Sequence, residues 1–103
     1  MVKLKITVLK RMFNEDLAKE YCVGEVSQCE IFNEGQEFIY DPYGDGNKPE
    51  NFCDHAWVAI YPVVFTLASN GSFPTWMKNE KSAITCCTDG IRPVVFKIEI
   101  LTD

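Results

Sequence analysis

Residues 82–101 read SAITCCTDGIRPVVFKIEIL, and this stretch decides the fold. Two mostly apolar runs flank Asp89-Gly90, a strong hairpin signal because glycine tolerates the positive φ of a type I′ turn. In the second run, apolar residues recur at every other position from Val94, and charged residues occupy two of the positions between them. The pattern predicts a C-terminal antiparallel hairpin with one face in the core.

Two further strands and a short helix are predicted in the first forty residues. Apolar and polar residues alternate over residues 2–8, the period of a half-buried strand. Asn14, followed by acidic residues, is a good N-cap for a short helix that ends near Cys22. The turn at Asn33-Glu34-Gly35 leads into a second strand at residues 36–40.

A long helix is predicted over residues 52–68, where apolar residues recur on nearly every face, as in a helix buried on most sides. Asn51 and Asp54 have capping-box spacing, Asn70-Gly71 is a helix stop, and Pro62 should kink or split the helix. The elements together predict one domain with an α+β fold. We expect a small, mainly antiparallel sheet with a C-terminal hairpin, packed against one long buried helix plus a short helix.

Composition and charge exclude several classes of function. The chain has 103 residues and a net charge of −5, and its ten Lys and Arg residues are scattered. We therefore expect no binding to nucleic acid or to anionic membranes. Lys3 and Lys5 interrupt the apolar start, unlike a signal peptide, so we expect a cytoplasmic protein. Residues 56–70 are fewer than the ~20 needed to span a bilayer. A protein partner or a homo-oligomer remains compatible with the composition.

Five cysteines without an export signal indicate reduced thiols, a metal site or redox chemistry rather than a disulfide framework. Cys86 and Cys87 are adjacent, so their side chains should point to opposite faces of a regular strand. If Asn51 caps the long helix, Cys53 lies in its first turn, where unpaired N–H groups stabilise a thiolate. Cys29 precedes the second strand and could converge on the same place.

These residues define a candidate site for a metal or for thiol chemistry. Its cysteines are Cys29, Cys53, Cys86 and Cys87, with only one of the adjacent pair expected to take part. The supporting residues are Asp54, Trp57, Asp89 and Arg92. Thiolates of this kind bind zinc or an iron–sulfur cluster, or carry out thiol redox chemistry. No catalytic residue is assigned, so whether the protein is an enzyme stays open.

The alternative is a non-enzymatic domain for protein interaction or assembly. In that case the cysteines are small core residues, since free cysteine is among the most buried residue types. The sequence contains no Cys-x-x-Cys pair, so the cysteine spacing does not favour a metal site over this alternative. His55 follows Cys53 by two residues and would point about 200° away on a helix, so a surface histidine is the favoured interpretation.

The sequence also resembles a family of small prokaryotic proteins of about this length, often from anaerobes and known at most as an uncharacterised repeat protein. The likeness rests on VKLKITVLK, FNEGQEF, FCDHAW and CCTDGIRPVVFKIE, and it covers nearly the whole chain. Cys22 and His55 lie outside the pattern. Glu30 replaces an expected proline, and the glycine-rich loop near Asp45 is longer. The resemblance implies which residues matter: Cys29, Gly35, Cys53, Asp54, Trp57, Cys86, Cys87, Asp89, Gly90, Arg92 and Pro93.

Overall fold

A computed structural model describes residues 2–101, which form one four-stranded sheet and two helices. The strands are β1 Lys3–Arg11, β2 Glu37–Tyr40, β3 Ser82–Cys86 and β4 Val94–Leu101, and the helices are α1 Glu15–Tyr21 and α2 Asp54–Ala68. All neighbouring strands are antiparallel, in the order β2-β1-β4-β3. The predicted α+β class is confirmed, with the hairpin strands paired at one side of the sheet.

The two faces of the sheet differ because alternate residues of a strand point to opposite sides. One face lies beneath α2 and is apolar except for the half-buried Thr85, which pairs with Phe96. Its buried residues are Leu4, Ile6, Val8, Phe38, Tyr40, Ala83, Val94, Phe96 and Ile98. The other face, which we call the open face, carries an ion-pair network centred on Lys5. Its Nζ lies 3.5 Å from Glu37 and 3.8 Å from Glu99. The alternation in the sequence therefore placed the core correctly.

Helix α2 covers the core with one stripe of its surface. The buried residues of this stripe are Ala56, Ile60, Val64 and Leu67. On the opposite side, Val58 and Phe65 are 74% and 59% exposed. The prediction of a helix buried on most sides is therefore wrong, because the described part of the chain provides no second layer over the outer side. Among residues 2–101, neither helix has the length and apolar character that a membrane crossing requires.

The N-terminus of α2 also differs from its prediction. The N-cap is Cys53, with φ −65° and ψ 130°, and its side chain makes no capping hydrogen bond. Asn51 lies outside the helix with φ 65°. Lys48 stabilises this end instead, donating to the Phe52 carbonyl over 2.8 Å and lying 3.2 Å from the Asp54 carboxylate. Cys53 therefore precedes the first helical turn rather than lying within it.

The C-terminus of α2 is the predicted stop. Asn70 adopts φ 67°, and the N–H of Gly71 donates to the carbonyl of Thr66 over 2.7 Å. The N–H of Asn70 donates to the carbonyl of Leu67, which completes a Schellman motif. The helix is continuous through Pro62, so the proline does not split it.

The hairpin has a longer connection than the sequence indicates. Cys86 pairs with Val95, and the N–H of Cys87 donates to the carbonyl of Val94 over 3.1 Å. The loop therefore spans residues 88–93. Gly90 does not adopt a positive φ, so the predicted type I′ turn is wrong. The reason is local, because the side chain of Asp89 accepts the N–H groups of Ile91 and Arg92 and so stabilises a wider loop.

Candidate functional site

A cleft of about 660 Å³ opens between three segments that are distant in sequence. Its walls are the irregular residues 25–32, the start of α2 and the loop end of the hairpin. This volume lies within the range of sites for small molecules. We call it the cysteine cleft, because its lining includes Cys29, Cys53 and Cys87.

The first wall is irregular in backbone but anchored to the sheet. The Nη1 of Arg11 donates to the carbonyl of Cys29 over 2.9 Å, and Nε2 of Gln28 donates to the carbonyl of Arg11 over 2.8 Å. Phe32 is 1% exposed and packs edge-on against Phe96, with ring centroids 5.2 Å apart. A buried aromatic and two hydrogen bonds thus position Cys29 without regular secondary structure.

The second wall is the start of α2, which contributes Cys53, His55 and Ala56. Cys53 is half-buried and packs against the core, whereas His55 is exposed. Both residues line the same cleft, because Cys53 adopts an extended conformation before the helix begins. Their helical offset therefore does not separate them as the sequence suggested.

The third wall is the end of the hairpin. The N–H of Val94 donates to Sγ of Cys87 over 3.3 Å, which fixes the sulfur at the cleft surface. Beside it, Oδ1 of Asp89 accepts from the N–H groups of Ile91 and Arg92, each over 2.9 Å. Nε of Arg92 donates to the other carboxylate oxygen over 3.0 Å.

These contacts determine the ionisation of Asp89. Partial burial by itself raises the pKa of this carboxyl, but the hydrogen bonds from Arg92 and Ile91 and the guanidinium charge of Arg92 outweigh it. The pKa of Asp89 consequently lies below its ordinary value, and the carboxylate is the state that the loop stabilises.

Cys86 lies apart from the other candidate cysteines. It pairs with Val95 on the open face and is exposed, whereas Cys87 is half-buried against the core. The predicted divergence of the two adjacent side chains is confirmed. Cys87 is thus the member of the pair that lines the cleft, and Cys86 does not line it.

Two of the four supporting residues line the cleft, and two do not. Asp89 and Arg92 form part of the third wall. Asp54 pairs with Lys48, and the indole of Trp57 packs against Tyr40 with ring centroids 5.0 Å apart. Asp54 and Trp57 therefore support the helix terminus and the core.

Sequence reasoning missed two acidic residues of the cleft, Glu25 and Glu30, and favoured a surface position for His55, which also lines the cleft. Residues 25–31 have no helical or strand period, so no pattern could place them next to the hairpin. Phe32, which follows them directly, anchors this segment in the structure, but a single phenylalanine in a sequence does not indicate a site.

The thiols are available but are not arranged as a closed metal centre. All five cysteines are free; Cys86 is exposed and the other four are half-buried. Within residues 2–101, no three His, Cys, Asp or Glu side chains are grouped so that they could hold a metal ion. The arrangement is therefore an open cleft with three separate thiols, unlike the compact tetrahedral grouping of a structural zinc site.

Comparisons with protein-family models, curated proteins and solved structures found no match to this chain. The family resemblance drawn from the sequence motifs therefore stays a prediction. The fold and the cleft are the basis for assigning a function.

Proposed function

We propose that the protein carries out thiol–disulfide exchange with a small disulfide bound in the cysteine cleft. The observation that carries this proposal is that Cys29, Cys53 and Cys87, from three distant segments, line one cleft of small-molecule size. Each of the three is half-buried and packs against the core. A thiol in such a position is held in place yet can be reached by a ligand, which exchange chemistry requires.

The reaction needs two of the three thiols. The thiolate of one cysteine attacks a sulfur of the bound disulfide, forms a mixed disulfide and releases the other half of the ligand as a thiolate. A second cleft thiolate then attacks the protein sulfur of the mixed disulfide and releases the remaining half. The ligand is reduced by two electrons, and the protein pair is oxidised to a disulfide.

The charges of the cleft favour a neutral or cationic ligand. Arg92 is paired with Asp89, so its positive charge is already balanced. Glu25 and Glu30 also line the cleft, and no lysine lies among the lining residues. An anionic disulfide is therefore repelled, whereas an ammonium group is attracted.

The test compares two small disulfides of similar size and opposite charge, cystamine and dithiodiglycolate. We expect the reduced protein to exchange with cystamine about tenfold faster, with the difference shrinking as salt is added. Serine replacement of either cysteine of the reacting pair should slow the exchange or prevent formation of the internal disulfide, whereas replacement of the third cleft cysteine should leave both steps intact. Cys22→Ser is the matched control, because Cys22 is half-buried but lies outside the cleft. Equal rates for both disulfides, or a loss of exchange only in Cys86→Ser, would contradict the proposal.

A soft metal ion is the second candidate ligand, because the cleft is lined by thiols, an imidazole and two glutamates that attract cations. Within residues 2–101 no three of these side chains are grouped closely enough to hold a metal, so binding would require them to move together. The measurement is elemental analysis of protein purified without oxygen or chelators, with thiol alkylation counted before and after zinc is added. Near-stoichiometric zinc or iron, with three thiols protected until unfolding, would establish this function. Metal-free protein whose alkylation is indifferent to zinc would exclude zinc as the cleft ligand.

A further inference from the structure

The outer edge of β3 is free to pair with another strand. β3 is a terminal strand of the sheet. Cys87 and Val94 form a hydrogen-bonded pair between β3 and β4, in which the N–H of Cys87 donates to the carbonyl of Val94. Bonded pairs alternate along an antiparallel ladder, so the backbone groups of Ile84 and Cys86 point outward, away from β4. Among residues 2–101, neither backbone has a hydrogen-bond partner.

This edge lacks the features that normally prevent strand pairing. Sheet edges are usually protected by charged residues, by proline or by a very short strand. Residues 82–88, SAITCCT, contain no charge and no proline. The opposite edge, β2, is four residues long and carries Glu37. The two edges thus differ, and only β3 presents an uncharged pairing surface.

We propose that β3 of one copy pairs antiparallel with β3 of a second copy, which joins the two sheets into one. In this register Ile84 lies opposite Cys86 of the second copy, so that the outward-pointing N–H and carbonyl groups of Ile84 and Cys86 form hydrogen bonds between the two copies. Thr85 then lies opposite its own counterpart on the two-fold axis. Cross-strand threonine pairs are favourable, and the two-fold arrangement is the commonest symmetry of protein dimers.

The charges that flank β3 favour the antiparallel arrangement over a parallel one. Lys81 and Asp89 lie at equal distances in sequence from Thr85, so this register places Lys81 opposite Asp89 of the second copy, whereas a parallel arrangement would bring Lys81 against Lys81. Both charges already have partners within one copy: Nζ of Lys81 donates to Asn70 and to the carbonyl of Gly71, and Asp89 pairs with Arg92. The ends of the segment therefore do not repel each other across the two-fold axis. Each copy carries a net charge of −5, so approach through an uncharged segment also limits repulsion.

The first test measures the mass of the reduced protein by sedimentation over a series of concentrations. We expect a reversible dimer, and Ile84→Lys should weaken it by about tenfold or more because edge lysines oppose strand pairing. Ile39→Lys is the matched control, since Ile39 is 52% exposed at the other edge and Ile84 is 47% exposed. A monomer at every concentration, or equal weakening by both substitutions, would overturn the proposal.

The second test fixes the register. In a hydrogen-bonded pair, opposite Cα atoms lie about 5.5 Å apart, within the range of a disulfide. Mild oxidation of Ile84→Cys should therefore yield a dimer linked from position 84 to Cys86, whereas Ile39→Cys should yield none. Two Cys86 residues would lie diagonally, about 7–8 Å apart. A dimer linked through both native Cys86 residues would overturn this register.

Discussion

The N–H of Val94 donates a hydrogen bond to Sγ of Cys87 over 3.3 Å, while the N–H of Cys87 donates to the carbonyl of Val94 over 3.1 Å. The same two residues thus close the hairpin and hold one thiol at the wall of the cysteine cleft. A residue that serves the proposed site is in this case also part of the fold, and its replacement should affect both.

We expect Cys87→Ala to lower the free energy of unfolding by about 1 kcal/mol, because it removes the acceptor of the Val94 N–H and part of the packing against the core. Cys86→Ala provides the control, since Cys86 is exposed on the open face. Its effect should lie within about 0.5 kcal/mol. Urea unfolding under reducing conditions measures both, and equal effects would mean that the Cys87 contact contributes nothing.

Cys53→Ser should stabilise the protein by about 0.5–1 kcal/mol. Cys53 occupies the N-cap of α2 without making a capping bond, and serine is among the preferred N-cap residues. The thermal midpoint of the reduced protein checks this, with Cys29→Ser as a comparison outside any helix terminus. A lower midpoint for Cys53→Ser would show that the sulfur packing there outweighs the gain in capping.

Gly71→Ala should destabilise the protein by about 1–3 kcal/mol through overpacking. A Cβ at this position would lie 2.6 Å from Cγ2 of Thr66 and 2.7 Å from its carbonyl oxygen. At Gly90 an added Cβ meets nothing within 4 Å, so Gly90→Ala should be neutral or slightly stabilising. Unfolding midpoints that fall equally for the two variants would contradict the close approach at Gly71 and the wide loop at Gly90.

Asp89→Asn should make the free energy of unfolding less dependent on pH in the acid range. The folded-state pKa of Asp89 is lowered, so its carboxylate contributes stability above the unfolded pKa of about 4, and this contribution is lost as pH falls through the folded pKa. Asparagine keeps an oxygen acceptor but removes the charge that faces Arg92. The native chain should therefore be more stable than Asp89→Asn at neutral pH. The difference between their free energies of unfolding should shrink as the pH falls. A gap independent of pH in urea titrations would exclude the ion pair as its cause.

The strands could be predicted because their signal is local. Each strand alternates between a buried and an open face, and the period of two is visible in residues 2–8 and from Val94 onward. The type of turn between β3 and β4 was not predicted correctly, because the same residues are compatible with two different loops. Asp89 and Gly90 are compatible with a two-residue turn, yet the carboxylate of Asp89 accepts two backbone N–H groups and an Arg92 side chain in a wider loop.

The site was less predictable because long-range contacts assemble it. The position of Cys29 depends on Arg11 and on the burial of Phe32, and neither contact leaves a periodic trace. Likewise, an Asn51 cap and a Cys53 cap differ by only two residues, which the capping preferences of the sequence do not resolve. Cys29, Cys53 and Cys87 line one cleft, while their role as a metal or thiol site stays a prediction, and the acidic residues of the cleft were missed.

The strand order also determines when the fold can form. The central strands β1 and β4 are the first and the last of the described chain, and they pair along most of their length. Neither β2 nor β3 can complete a sheet without them, so the core requires contacts between residues almost a full chain length apart. On the ribosome, the nascent chain must therefore wait for β4 before it buries its apolar residues. Until β4 pairs with β1, the apolar core residues and the thiols that pack against them lack the completed sheet that shields them.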